Sequence, residues 1–186
     1  MVSDKEELLK VYDENNEYLG YKEIRSVVHK KRLYHREVAL WVVDIENNSV
    51  LLQKRSKNKI TGANKLGVLA GHVVGDDSLI GTVRKEAIEE LGIDVSNIRV
   101  HKLLDFQKKD KNNYCHIYHY YIISYIPINE IDVQEEELSR VMYFDYDFLK
   151  KCIKEKNEQF MIPWDKNHRE VFKKLDKVFG KTCKKS

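Results

Sequence analysis

The chain has 186 residues, 42% hydrophobic and 34% charged, a balance suited to a folded domain with a substantial core. Its 33 basic and 30 acidic residues leave a formal charge of +3, too mild a surplus to argue for a nucleic-acid partner. Cys115, Cys152 and Cys183 are widely spaced and give neither a disulfide framework nor a zinc spacing, so a reducing, cytoplasmic setting is expected. No apolar run approaches a membrane span, and the opening MVSDKEELLK lacks the apolar stretch of a signal peptide.

In chain order, Leu8 to Tyr12 and Tyr18 to Tyr21 read as short strands around the turn Asp13-Glu14-Asn15-Asn16. Lys22 to Lys30 reads as a short helix with Ile24, Val27 and Val28 inward. The apolar runs Glu37 to Ile45 and Ser49 to Lys54, separated by Glu46-Asn47-Asn48, form the clearest hairpin, and the first looks buried on both faces. Arg55-Ser56-Lys57-Asn58-Lys59 follows as a basic loop, either solvated surface or a phosphate contact.

The stretch from Gly71 to Ile93 organises the rest. It opens as a glycine loop, carries a helix start at Asp76-Asp77-Ser78 and stops at Gly92, where a left-handed residue ends many helices. Either Asp77 or Ser78 can serve as the N-cap. Leu79, Val83, Ala87 and Leu91 recur every four residues and define the buried face. Glu86, Glu89 and Glu90 fall within about 100° of one another along the edge of that face. Like charges at these spacings destabilise an isolated helix. A hard divalent cation with oxygen ligands is the natural counter-charge, and Mg²⁺ commonly arrives with substrate phosphates.

Downstream, Ile98 to Phe106 and the aromatic-rich Tyr114 to Tyr125 read as strands around a polar turn. Pro127 to Glu137 is an acidic connection, Val141 to Asp145 a strand, and Phe148 to Glu155 and Asp165 to Phe179 are helices before a frayed, Lys-rich tail from Lys181. No repeat or dividing linker is present. The expectation is one α/β domain over 1–186 with a mixed sheet in an α/β/α arrangement: an extension over 1–34, a core over 35–160, and a closing helix and tail over 161–186.

The organising stretch resembles the signature of the Nudix hydrolases, G-x5-E-x7-R-E-U-x-E-E-x-G-U, where U is aliphatic. Gly71, Glu86, Ala87, Glu89, Glu90, Gly92 and Ile93 fall on its positions. Asp77 stands in place of its first Glu and Lys85 in place of its Arg, exchanging a bidentate fork for a point charge. VYDENNEYLG, VVHKKRLYHREVALWVVD, LLQKRSKNK, AGH and VQEEELSRVMYFDYDFL extend the resemblance to the branch that includes isopentenyl-diphosphate isomerase and its hydrolase relatives. In that branch the isomerase has a cysteine where this chain has Ala70. It has a Glu-x-Glu pair where this chain has, approximately, Tyr114-x-His116. His29, His35 and His72 fall near its metal-binding histidines, and here they read either as hydrogen-bonders or as ligands.

The resemblance implies hydrolysis of a diphosphate bond in a nucleoside diphosphate derivative or similar small molecule. It implies Mg²⁺, with Mn²⁺ as the alternative, held by Glu86, Glu89, Glu90 and the Gly71 carbonyl. The base would be Glu89 or one of the loop residues Glu135, Glu136 and Glu137. Arg36, Lys54, Arg55 and His72 are the expected substrate contacts. An isomerase-like protein and a non-catalytic diphosphate-binding module are the alternatives, and the oligomeric state is left open.

Overall fold

The computed structural model describes residues 7–59, 61–111, 113–134 and 136–180; Glu135 and the tail from Lys181 lie outside them. β1 (Leu8–Tyr12) and β2 (Tyr18–Ile24) pair as an antiparallel hairpin. The backbone stays extended three residues beyond the expected end of β2, so α1 begins only at Arg25 and runs to Lys31. Arg32, in the left-handed region at φ 55°, ends α1.

β3 (His35–Asp44) is the centre of the main sheet. It runs parallel to β8 (Tyr114–Ile123) along one edge. Its other edge is shared: Glu37–Leu40 pair with β6 (Leu69–His72), and Val42–Asp44 with β4 (Ser49–Arg55). β4 also pairs with β5 (Leu66–Gly67) and, along most of its length, with β9 (Leu138–Asp145). β7 (His101–Lys109) pairs antiparallel with β8 on its far side. The short strands β5 and β6 were not expected, because the glycines around them read as loop; Gly71 is a strand residue.

Alternation along β3 builds two cores. Val38, Leu40 and Val42 pack beneath α2 (Leu79–Leu91) with Val83, Ala87 and Leu91. Trp41 and Val43 face the opposite way, towards α3 (Tyr146–Lys154) and α4 (Lys166–Val178), and meet Leu149, Phe172 and Leu175. Each such side chain contributes roughly 1.5–3 kcal/mol on full burial. These contacts make a three-layer α/β/α structure with a mixed sheet, as expected. No helix among the described residues is long and apolar enough to cross a membrane.

Candidate functional site

The caps of α2 set the direction of its acidic edge. Ser78 Oγ accepts from the Gly81 N–H at 3.0 Å, which settles the N-cap in favour of Ser78. Gly92, at φ 65°, closes the helix with Ile93 N–H donating to Ala87 O at 3.1 Å. Asp77 remains available to Lys85, whose Nζ lies 3.8 Å from Asp77 Oδ2 across half-exposed surface.

Between these caps the glutamates meet β6. Gly71 faces α2 so closely that a Cβ there would lie 2.1 Å from Glu86 Cδ, so only glycine admits the carboxylate. Burial, followed by the charges of Glu90, Glu89 and Glu7, pushes the Glu86 carboxyl up to about 8. Glu90 is buried; desolvation and then Glu137 raise its carboxyl to about 7, against the opposing pull of Arg55, a Gln53 hydrogen bond and Lys59. Glu90 Oε2 has no hydrogen-bond partner among the described residues. Glu89 is exposed beside them.

Two loops complete this corner. The segment after β4 and the segment before β9 are stitched together by Ser56 N–H to Glu137 O at 2.9 Å, and the second is tied to α2 by Gln134 N–H to Glu90 O at 3.3 Å. Lys59 Nζ forms an ion pair with Glu137 Oε2. Of the expected loop bases, Glu137 is thus carried to Glu90, and Glu136 is exposed. Gln53 and Glu7 were not among the expected site residues, and Lys59 was expected only as part of a basic loop, solvated or in contact with phosphate. Glu7 reaches Glu86 because β1 lies against the glycine segment, with Gly75 N–H donating to Leu8 O at 2.8 Å; no local sequence spacing records that.

Of the expected substrate contacts, Arg55 lies close enough to Glu90 to pull its carboxyl down. Strand alternation places Gln53 and Arg55 on the α2 side and Lys54 on the opposite side, with Val50 and Leu52. Arg36 is engaged by the N-terminal hairpin: its Nε donates to Asn16 Oδ1 at 2.9 Å and its guanidinium lies 4.1 Å from the Tyr12 ring centroid. His72 follows Gly71 in β6, so its side chain emerges from the other face, paired in register with Glu37. Lys54 and His72, expected as substrate contacts, thus face away from the glutamates, and Arg36, also expected as one, is held by Asn16 and Tyr12.

His72 instead joins a second cluster. Ligand-capable nitrogens of His29, His35 and His72 all lie within 4.8 Å of one another. Glu37 Oε1 lies 3.3 Å from His35 Nε2 and 3.4 Å from His72 Nε2, and accepts from Asn113 Nδ2 at 2.6 Å. Burial alone would raise Glu37, but the His35 hydrogen bond and the nearby His72 and Lys108 hold it well below the usual carboxylate range. Burial keeps His72 neutral, its pKa well below the ordinary imidazole value. Imidazoles with one carboxylate form a donor set of the kind transition metals take, whereas the all-oxygen set on α2 suits Mg²⁺ or Mn²⁺. The Tyr114 ring lies tilted against Tyr34 and His116 Nε2 lies 2.9 Å from Asp13 O; neither side chain carries a carboxylate.

Comparison with known proteins places the chain in a family. The chain is 26% identical over 187 aligned residues to Nudix hydrolase 3 of Arabidopsis thaliana, covering 96% of this chain but 24% of that protein. It is 32% identical over 91 residues to a prenyl-diphosphate phosphatase of Methanosarcina mazei, covering 49% of this chain and 52% of the other. It therefore spans about a quarter of the first relative and about half of the second. Among solved structures, DR0079 from Deinococcus radiodurans superposes with a TM-score of 0.64 at 18% identity, over 80% of this chain and 90% of that one. The Nudix domain description matches residues 33–164, from just before β3 to just before α4, and with the signature on β6 and α2 inside that span the chain belongs to the Nudix family.

Proposed function

We propose that the chain hydrolyses a diphosphate bond in a small molecule, using a divalent cation at Glu86, Glu89, Glu90 and the Gly71 carbonyl. One observation carries this reading: Glu86 and Glu90 are brought together out of water, with one Glu90 oxygen left without a partner. Buried charge of one sign is costly unless it is neutralised, and a hard cation fits this oxygen donor set. Bound there, Mg²⁺ or Mn²⁺ supplies charge neutralisation for diphosphate oxygens and lowers the pKa of a water.

The chain's own groups do the rest. Arg55 and Lys59 supply positive charge beside Glu90 for the diphosphate. Water attacks phosphorus, its proton passes to a carboxylate, and the bond to the bridging oxygen breaks. Glu137, held by Lys59, and Glu89, exposed at the mouth, are the carboxylates positioned to take that proton. The name of the Methanosarcina relative, a prenyl-diphosphate phosphatase, supports a diphosphate substrate, and the single-domain reading is consistent with the family match over 33–164.

The assembled histidines favour a second reading, an isomerase-like protein. Moving a double bond requires an acid and a base across an apolar substrate. Ala70 offers no thiol, so hydrolysis is preferred.

A phosphate-release screen over nucleoside di- and triphosphates, nucleotide sugars, dinucleotides and prenyl diphosphates, with and without Mg²⁺, tests the proposal. Metal-dependent turnover of at least one class, lost in Glu90→Gln, is expected. Turnover of none, or turnover indifferent to both metal and Glu90, overturns it. Isopentenyl diphosphate in deuterated water tests the second reading through label in the isomerised product.

A further inference from the structure

Lys59 lies where a free cation would be expected. Its ammonium pairs with Glu137, and both side chains are largely buried, with 15% and 24% of their surface exposed. Glu137 is in turn the main like-charge neighbour of Glu90, whose Oε2 has no hydrogen-bond partner among the described residues. The backbone fixes this encounter: Ser56 N–H bonds Glu137 O, Lys59 N–H bonds Ser56 O at 3.2 Å, and Glu137 N–H bonds Gln134 O at 2.8 Å. A four-carbon side chain from one loop thereby enters the acidic corner formed by α2 and the other loop.

We propose that Lys59 is a tethered counter-ion of the carboxylate site. It neutralises Glu137 and Glu90 while no divalent cation is bound, and it must yield that role for the cation to bind. This deepens the functional reading above and rests on the carboxylates being a metal site.

Two consequences follow from electrostatics. Removing the ammonium while keeping a side chain of comparable reach leaves buried carboxylates uncompensated, so the metal-free protein loses stability. The same removal takes away an internal competitor, so a divalent cation binds more tightly. The two effects have opposite signs, whereas a lysine that merely braced the loops would lower both stability and metal affinity. A lysine that only contacted substrate phosphate would leave the metal affinity unchanged.

The experiment uses the full chain, Mn²⁺ alone as the probe, titration calorimetry for affinity, and thermal melting in chelator for stability. Lys59→Gln is compared with Lys59→Arg, which keeps the charge, and with Lys57→Gln, an exposed lysine of the same loop. Expected for Lys59→Gln are a lower melting temperature in chelator and Mn²⁺ affinity raised by about five- to tenfold, the lower end of a usual coupling between sites. Lys59→Arg and Lys57→Gln should stay near the parent in both measurements. Unchanged or weaker Mn²⁺ binding by folded Lys59→Gln overturns the proposal. Glu90→Gln separates the two levels of failure. If it binds Mn²⁺ like the parent, the metal-site reading falls; if it loses binding while Lys59→Gln does not gain it, only the role of Lys59 falls. Should Lys59→Gln not fold, Lys59→Met takes its place under the same criteria.

Discussion

Gly71 and His72 are consecutive residues of β6, yet they belong to two different charged clusters. On the Gly71 side, Glu86, Glu89 and Glu90 face one another with Glu7 and Glu137 nearby, and two of the carboxyls are pushed up to about 8 and about 7. On the His72 side, Glu37 is paired with His35 and His72 and held low. The first cluster gathers like charges that Arg55 and Lys59 offset only in part; the second holds its carboxylate low through His35, His72 and Lys108. The contrast shows that a buried acidic group alone does not identify a metal site. What matters is whether the surrounding groups favour the charged form of the carboxylate or oppose it.

The largest break in this comparison comes from the first cluster. Glu90→Gln should retain the fold yet lower metal-dependent hydrolysis by about two to three orders of magnitude, the scale of losing a principal electrostatic stabiliser. Steady-state rates beside a circular dichroism spectrum check it, and parental turnover by the folded variant would reassign the site. Next comes Gly71→Ala. Its Cβ would sit 2.1 Å from Glu86 Cδ, so the carboxylate must move, and a misplacement of that order costs about 10²-fold in activity. Equal rates for Gly71→Ala and the parent would show that Glu86 need not stand where it does.

A third test uses pH. Both Glu86 and Glu90 have folded pKa values above their unfolded value of 4.5, so the folded chain binds more protons than the unfolded one between about pH 4.5 and 8. The stabilisation from these groups is complete below pH 4.5 and is lost as pH rises through 7 and 8. In chelator, the melting temperature should therefore fall across that window, and Mg²⁺ should restore most at its alkaline end. Glu90→Gln should flatten the dependence.

The second cluster should respond differently. Glu37→Gln removes the carboxylate that accepts from Asn113 and lies 3.3 Å from His35 Nε2 and 3.4 Å from His72 Nε2, so stability should fall by about 1–3 kcal/mol. Hydrolysis should change less than about threefold, because the cluster occupies the other face of β6; a loss matching that of Glu90→Gln would join the two sites into one. The smallest effect is reserved for Lys85, whose 3.8 Å pair with Asp77 is half exposed. Such pairs contribute about 0–1 kcal/mol. Lys85→Arg should be neutral or mildly beneficial to activity and Lys85→Ala modestly harmful, and identical rates and melting temperatures for all three would make Lys85 a solvated helix residue.

Much of this was legible in the sequence, because it depends on neighbours in the chain. The period of four in Leu79, Val83, Ala87 and Leu91, Gly92 at the end of the helix, and the unbroken apolar run of β3 each express local geometry. The glutamate edge of α2 follows from the same periodicity. Tertiary structure decided which face of a strand each polar residue occupies, and which loop crosses to meet it. A shift of one residue in strand phase separates Gly71 from His72 and Arg55 from Lys54, and that phase is set by pairing with β3 and β9. Arg36 was drawn to Asn16 and Tyr12 by a hairpin twenty residues earlier, Glu137 and Lys59 were brought to Glu90 by two separate loops, and Glu7 by β1 against the glycine segment. Charge and hydrogen bonding act through space, so the chain alone marked the acids crowded along one helix edge, while only the packed strands and loops determined which side chains stand around them.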